Sequence, residues 1–389
     1  MPTSRRIWLA LVSALVLGLG WPVAMLAQDS LPAPNVTATA VFAFDPATGE
    51  VIMARNADDR LAIGSVTKIA TAMVAVQYLP LDEQVVVLGD DMVAEGYSAM
   101  GLQPGDTLTV EHLLTGLMVE SGGDAASALA RTAGSQLCGC DDVAAARAAF
   151  VEAMNEFATS LGLTNTQFAN PDGADDPNAW SSARDVATMF ATLIEDPTLA
   201  AMGALPSYSL TSAGPEQTLY EGISTNQFVG QYDITSAKTG SETNAGGCIV
   251  LARTTPDGGT TEVIAILGAD LEYDELWTPI VDARWDDALA VFSAIDAAWT
   301  PGQFIAAEPT SPPVAFEPAS GAVEDNAPLG DNTGPGEPIV ASDTSPVTTG
   351  ANAGRSSLAP VAVGTVMVSV LALAGVVSWI RPGAPRSAG

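Results

Sequence analysis

The stretch Gly64-Ser65-Val66-Thr67-Lys68-Ile69 decides how the rest of the chain is read. It opens a helical pattern over 65–78, directly after a hairpin signature. In that hairpin an alternating run over 37–44 meets the turn Asp45-Pro46-Ala47-Thr48-Gly49 and a return strand over 51–54. Three positions apart on a helix, the Ser65 hydroxyl and the Lys68 amine share one face and come within bonding reach. The helix N-terminus adds a partial positive charge that favours an alkoxide or oxyanion beside it. A desolvated lysine in that position is a base able to activate serine without histidine.

Lysine usage points the same way. Of 389 residues 14 are basic, and the only lysines are Lys68 and Lys238; every other basic residue is arginine. Arginine does not deprotonate in proteins, whereas a buried lysine does so readily, so lysine chemistry is expected at both positions. Lys238 lies in Lys238-Thr239-Gly240, just before a last pair of strands over 245–253 and 261–268 joined by Pro256-Asp257-Gly258-Gly259. The Lys238 amine and Thr239 hydroxyl are placed to hold a carboxylate, and Gly240 to let a substrate backbone approach. A second positive charge at Lys238 is also expected to lower the pKa of Lys68. Further helices are predicted over 110–119, 124–132, 143–161, 183–194 and 276–298. Region 36–300 therefore reads as one mixed α/β (α+β) domain, an antiparallel sheet completed by both ends of the domain with a helical insert.

The remaining composition mostly excludes. Forty-five acidic residues give a net charge of -31, which repels nucleic acid and anionic lipid alike. With the single histidine His112, a Ser-His-Asp triad has one possible base and a multi-histidine metal site has none. His112 itself reads as a helix-start residue, and no metal or cofactor is expected. Cys138 and Cys140, one residue apart, look too close for an easy mutual bridge; a link from one of them to Cys248 would leave one thiol over, and the disulfide state stays open. Trp180 and Trp277 read as core, and Glu272-Tyr273-Asp274-Glu275 as a solvated lead into the last helix.

The ends carry a different pattern. Arg5 and Arg6 precede an apolar run over 7–19, and Ala27 suits a leader-cleavage site while Met25 does not, so a cleaved leader over 1–27 and an uncleaved anchor are both open. Residues 301–357 turn to Pro, Gly, Ala, Ser and Thr with acidic residues interspersed, the composition of a disordered linker. The 23 residues over 358–380 carry no charge. As a helix they would reach about 35 Å, enough to cross a bilayer. Arg381 and Arg386 in the tail over 381–389 orient that helix with the domain outside the cytoplasm, a single-pass membrane protein.

Between the two lysine motifs lies Ser121-Gly122-Gly123-Asp124-Ala125. Together with Gly64-Ser65-Val66-Thr67-Lys68-Ile69 and Lys238-Thr239-Gly240, this order of motifs resembles the S11 serine peptidases, the D-alanyl-D-alanine carboxypeptidases among the low-molecular-mass penicillin-binding proteins. The surrounding stretches Leu161-Gly162-Leu163-Thr164-Asn165-Thr166, Phe168-Ala169-Asn170-Pro171-Asp172-Gly173 and Ala245-Gly246-Gly247-Cys248 extend the likeness across 36–298. The resemblance implies a β-lactamase/transpeptidase-like antiparallel sheet flanked by helices with a helical subdomain. It implies Ser65 as nucleophile, Lys68 as base and Ser121 as proton relay to the leaving D-alanine. Lys238 and Thr239 would hold the terminal carboxylate, beside Gly240, and the backbone N–H groups of Ser65 and Ser241 would form the oxyanion hole. The substrate implied is a peptidoglycan stem peptide ending in D-Ala-D-Ala, with β-lactams as inhibitors.

One position departs from the family: Gly123 stands where an Asn contacting the substrate amide is usual. Loss of one such hydrogen bond costs about 1–3 kcal/mol, or ten- to a hundredfold in rate. Two rivals share the fold, the first of them with two of the motifs. A serine β-lactamase needs a group to activate the deacylating water, commonly in a Glu-x-x-Leu-Asn stretch, and no such stretch is present. A catalytically weakened wall-binding or β-lactam-sensing protein is kept open by Gly123 and opposed by the presence of Ser65, Lys68, Ser121 and Lys238 together.

Overall fold

The computed structural model describes residues 33–298, apart from 215, 257 and 277, together with residues 305–306. In chain order the elements are strands β1 (Ala40–Phe44) and β2 (Val51–Arg55), a 3-10 turn (Gly64–Thr67) running into helix α1 (Lys68–Tyr78), and strands β3 (Gln84–Val86) and β4 (Thr107–Thr109). Helices α2 (Val110–Val119), α3 (Gly123–Cys138), α4 (Val143–Ser160), α5 (Ala183–Leu193) and α6 (Pro197–Met202) follow. Strands β5 (Ser207–Thr211), β6 (Leu219–Ile223), β7 (Ile234–Glu242), β8 (Gly246–Thr254), β9 (Thr261–Ala269), β10 (Leu271–Tyr273) and β11 (Pro279–Asp282) come next, then helix α7 (Arg284–Ala298) and strand β12 (Ile305–Ala306).

The principal sheet has six strands in the order β12-β2-β1-β9-β8-β7. Its pairings are antiparallel except that of β12 with β2, which is parallel. N-terminal strands thus pair with C-terminal ones, as the sequence implied. The sheet also runs past the expected boundary at residue 300, since Ile305 is buried against β2 inside the stretch read as linker.

Side chains alternate across these strands, so each strand feeds two cores. Ala40, Phe42, Val250, Ala252, Val263 and Ala265 face the helical side with Ile69, Leu113, Leu129 and Phe190. Val41, Ala43, Ile249, Leu251, Ile264 and Ile266 face the other side with Val291, Phe292 and Ile295 of α7. Because both faces are covered, β8 and β9 read as unbroken apolar runs and not as alternating ones. Asp287 at the start of α7 accepts hydrogen bonds from the backbone N–H of Thr37 and Ala38, tying the two ends of the domain together.

Several local expectations are corrected. The helix expected over 276–298 starts only at Arg284, because Asp274 Oδ1 accepts from Leu276 N and Thr278 N to close a turn between β10 and β11. Pro279 and the branched residues Ile280 and Val281 then suit an edge strand, so Glu272 to Glu275 belong to a hairpin. Lys238 comes just ahead of the predicted pair β8 and β9, as expected, but is itself part of a nine-residue strand, β7. Cys138 and Cys140 are disulfide-bonded to each other with Cα atoms 5.2 Å apart, and Cys248 is free and buried. The intervening Gly139, at φ +62°, folds the chain back at the end of α3 and brings the two together. Trp180 is only half-buried, with the Arg60 guanidinium 5.4 Å from its ring. His112 N donates to the Thr109 hydroxyl at the start of α2, as a helix-start residue should. Trp277, the leader over 1–27, the apolar stretch over 358–380 and the tail over 381–389 lie outside the described residues. Among the described residues no helix is long and apolar enough to cross a membrane.

Candidate active site

The 3-10 turn carrying Ser65 is pressed against strand β7. A Cβ on Gly240 would lie 2.4 Å from Ile63 O and 2.9 Å from a Val66 methyl, so only glycine allows this approach. Gly240 therefore makes room for the enzyme's own backbone, where the sequence reading had a substrate's. Gly64, at φ +52°, completes the contact; a Cβ there would come 3.0 Å from Ser241 N. The backbones of Ser65 and Ser241 are consequently neighbours, as two oxyanion donors must be.

Within the 3-10 turn and the first turn of α1, Lys68 Nζ lies 2.8 Å from Ser65 Oγ. It also donates to Asp172 O at 2.5 Å. One turn further along α1, Thr71 Oγ1 donates to Pro171 O at 2.5 Å, so α1 grips the loop at two successive carbonyls. Asn170 shapes that loop by accepting from Gly173 N and donating to Ala174 O. Gly173, at φ +84°, passes so close that a Cβ would sit 2.0 Å from Gly64 O. The stretch Phe168 to Gly173 thus fixes the amine's second hydrogen bond. Burial lowers the Lys68 pKa to about 8, against the opposing pull of Asp172, Glu242 and Asp124.

A second serine–lysine pair faces the first. Lys238 Nζ donates to Ser121 Oγ at 2.8 Å and to Thr239 O at 2.8 Å. Burial, then the charges of Lys68 and Arg284, push Lys238 well below the ordinary lysine value. The expected influence thus runs in the reverse direction: Lys68 depresses Lys238, while burial governs Lys68. Ser121 sits at φ +68°, a conformation disfavoured for any residue with a side chain and held here by its neighbours. On one side Gly122 N donates to Gly116 O, on the other Gly123 N donates to Ser98 O. Asp124, next in the chain, accepts from Met100 N, Leu102 N and Ala125 N, so it anchors the segment around Met100 to the start of α3. Asp124 is accordingly structural and does not replace the missing Asn side chain.

Sequence reasoning missed Arg284. Its buried guanidinium donates to Gly240 O, Cys248 O and the Ser241 hydroxyl, and pairs with Asp282. Thr225 was missed as well; its hydroxyl lies 2.6 Å from that of Thr239. Neither carries a local motif, and only the fold brings them to β7. Ser65 sits between two hollows. One, of about 130 Å³, is lined by Ser121, Thr239, Gly240 and Arg284. The other, of about 350 Å³, is lined by Lys68, Gly123, Asp172, Asp175 and Glu242. Seven of the eight residues predicted for the site, including Gly123 and Ser241, therefore line these two adjoining hollows, and the eighth, Lys238, bonds to the Ser121 hydroxyl.

Comparison with known proteins accords with this arrangement. The chain is similar to the D-alanyl-D-alanine carboxypeptidase of Streptomyces sp. (strain K15), at 35% identity over 61% of this chain and 82% of the relative. It is similar to D-alanyl-D-alanine carboxypeptidase DacC of Escherichia coli (strain K12), at 38% identity over 45% of this chain; the match spans only 44% of that relative. The crystal structure of the Streptomyces K15 DD-transpeptidase superposes with a TM-score of 0.61 at 30% identity, covering 69% of this chain and all of that one. The profile described as D-alanyl-D-alanine carboxypeptidase matches residues 27–270. The chain belongs to the S11 peptidase family.

Proposed function

We propose that this protein is a serine-type D-alanyl-D-alanine carboxypeptidase acting on peptidoglycan stem peptides. The observation that carries the reading is the pair of serine–lysine contacts, each 2.8 Å and each made by a buried lysine, at one cleft. In this scheme Ser65 Oγ attacks the carbonyl carbon of the penultimate D-alanine as its proton passes to neutral Lys68 Nζ. The N–H groups of Ser65 and Ser241 receive the developing oxyanion. Collapse expels D-alanine, whose amine takes a proton through Ser121, and water then hydrolyses the ester on Ser65. The substrate's terminal carboxylate lies in the smaller hollow, against Lys238, Thr239 and Arg284. Arrival of that carboxylate raises the depressed pKa of Lys238, which restores its charge where the charge is useful. β-Lactams acylate Ser65 by the same attack and leave slowly.

The cell context is proposed from sequence alone: export by the N-terminal leader, and a membrane anchor over 358–380 reached through the acidic linker. The domain would then work on the extracytoplasmic face.

Fluorescent penicillin labelling of the purified protein, with Ser65→Ala as control, followed by D-alanine release from a pentapeptide, tests the activity. Stable label plus release is expected. Rapid loss of label would indicate a β-lactamase, and absence of label a binding protein. Including an amine acceptor separates hydrolysis from the transfer that the Streptomyces neighbour's name describes.

A further inference from the structure

The two hollows beside Ser65 differ in charge. The smaller one, on the leaving-group side, is lined by the Arg284 guanidinium and by Ser121 and Thr239, the partners of Lys238. The larger one, where the rest of the peptide must extend once its C-terminus is so placed, is lined by Glu95, Asp172, Asp175 and Glu242. Lys68 is the one cation lining it among the described residues, and its amine is engaged with Ser65 and Asp172 O. None of the four carboxylates forms an ion pair among the described residues.

These carboxylates act on one shared space. Burial and then Asp175 push the Glu242 carboxyl up to about 7. Glu242, Asp172 and Asp175 all push the hydroxyl of Tyr97, on the cavity wall, upward as well. The cavity also contains the family departure at Gly123. A Cβ there would lie 3.0 Å from a Val93 methyl, 3.2 Å from Ser98 O and 3.7 Å from Asp172 Oδ2, so glycine lets the Val93 to Ser98 segment close over this end of the acidic wall. Tyr97 and Tyr273 supply aromatic surface for an alkyl stem. Among the described residues no three carboxylate, histidine or cysteine groups come close enough together to hold a metal ion, so the field suits an organic cation on a flexible stem.

We propose that the larger hollow is a specificity subsite for a free primary amine on the side chain of the residue preceding D-Ala-D-Ala, recognised by Glu242 and Asp175. The cleft is then complementary to a peptide that is anionic at its end and cationic a few atoms upstream. A chain whose side-chain amine is acylated or already cross-linked loses the cationic contact and is a poor substrate. This inference rests on the carboxypeptidase reading and adds the substrate's side-chain chemistry to it.

The test uses three acylated tripeptides ending in D-Ala-D-Ala, with lysine, Nε-acetyl-lysine or norleucine at the first position. With the full chain, kcat/KM for D-alanine release is expected to favour the free amine by about ten- to a hundredfold, the effect of one charge-assisted hydrogen bond. In Glu242→Gln combined with Asp175→Asn that ratio should collapse to within about threefold of unity. Glu242→Asp should retain it. Equal rates on lysine and Nε-acetyl-lysine peptides in the wild type, or a ratio unmoved in the double variant, would overturn the proposal. Should the double variant not fold, loss of the wild-type preference as salt rises replaces it, and a salt-independent ratio refutes the electrostatic origin. If no peptide releases D-alanine while penicillin still labels Ser65, the hydrolytic reading fails on its own. The peptides' protection of Ser65 from labelling then reads the amine preference, and equal protection by all three rejects it.

Discussion

Replacing Lys68 with methionine removes the proposed base while keeping the length and burial of the side chain. The size of the effect follows from two properties of the structure. The amine lies 2.8 Å from Ser65 Oγ, within direct proton-transfer range. Burial also lowers its pKa to about 8, so about a tenth of the enzyme carries neutral Lys68 at pH 7. At the ordinary lysine value that fraction would be about one in three thousand, so burial raises the reactive population by about three hundredfold. A positioned general base contributes about 10²- to 10⁴-fold. The second-order rate constant for acylation by a fluorescent penicillin should therefore fall by at least a hundredfold in Lys68→Met. Lys68→Arg, which cannot deprotonate, should fall similarly. The wild-type rate constant should rise with pH through about 8, because the neutral amine is the active form, and this limb should be absent from both variants. Acylation within tenfold of wild type in Lys68→Met, or a retained rise through pH 8, would refute Lys68 as the base.

The same burial affects stability with a definite sign. Below about pH 8 Lys68 is protonated in folded and unfolded chains alike, and the buried charge costs about 3 kcal/mol. Between pH 8 and 10.5 only the unfolded chain holds that proton, so wild-type stability relative to Lys68→Met should rise with pH by about that amount in denaturant titrations. Gly240→Ala forces the Ile63 carbonyl and Val66 away from β7 and should cut penicillin acylation by at least tenfold, with the Ser65 turn displaced in a crystal structure. Gly123→Asn should raise acylation by up to about tenfold, provided that the half-buried Val93 and the Ser98 carbonyl, 3.0 and 3.2 Å from the new Cβ, shift by a few tenths of an ångström; a fall with an unchanged melting temperature would mean that the close approach of that segment is itself needed. Replacing both Cys138 and Cys140 by Ser opens a ring of only three residues, worth at most about 1.5 kcal/mol, so calorimetry should show a melting temperature lowered by no more than about 6 °C.

The residues proposed as nucleophile, base, relay and carboxylate-binding strand were traceable in the sequence because each lies in a short motif of close neighbours. Ser65 and Lys68 share a turn, and Lys238 and Thr239 share a strand, so spacing alone foretold that each pair would sit together. Arg284 was not legible, since its guanidinium serves Gly240 O and Ser241 Oγ, both more than forty positions away. The hairpin of β10 and β11 was read as the start of a helix because acidic residues before an apolar run also mark a helix N-terminus. There the side-chain turn at Asp274 and the branched residues after Pro279 override the helical period. The disulfide was misjudged for a similar reason. Spacing excludes a one-residue bridge only if the chain continues in one direction, and Gly139 reverses it.

The scarcity of lysine acquires a physical meaning once both lysines are seen to be buried in the cleft at 3% and 1% exposure. A surface lysine keeps its charge at neutral pH, and arginine serves there equally well. Under the proposed mechanism the two residues need opposite states at the same pH, one neutral to accept a proton from Ser65, the other charged when a carboxylate arrives. The fold separates those states by context. Lys68 has carboxylates nearby that moderate its depression, so it titrates close to physiological pH. Lys238 has only cations as charged influences, Lys68 and Arg284, so without ligand it is driven much further down. An anionic substrate end relieves the charge crowding among Lys238, Lys68 and Arg284, and its binding is thereby coupled to the protonation of the relay partner of Ser121. Arginine at either position would fix the charge and abolish that coupling, so the proposed mechanism accounts for lysine at these two sites among all the basic positions of the chain.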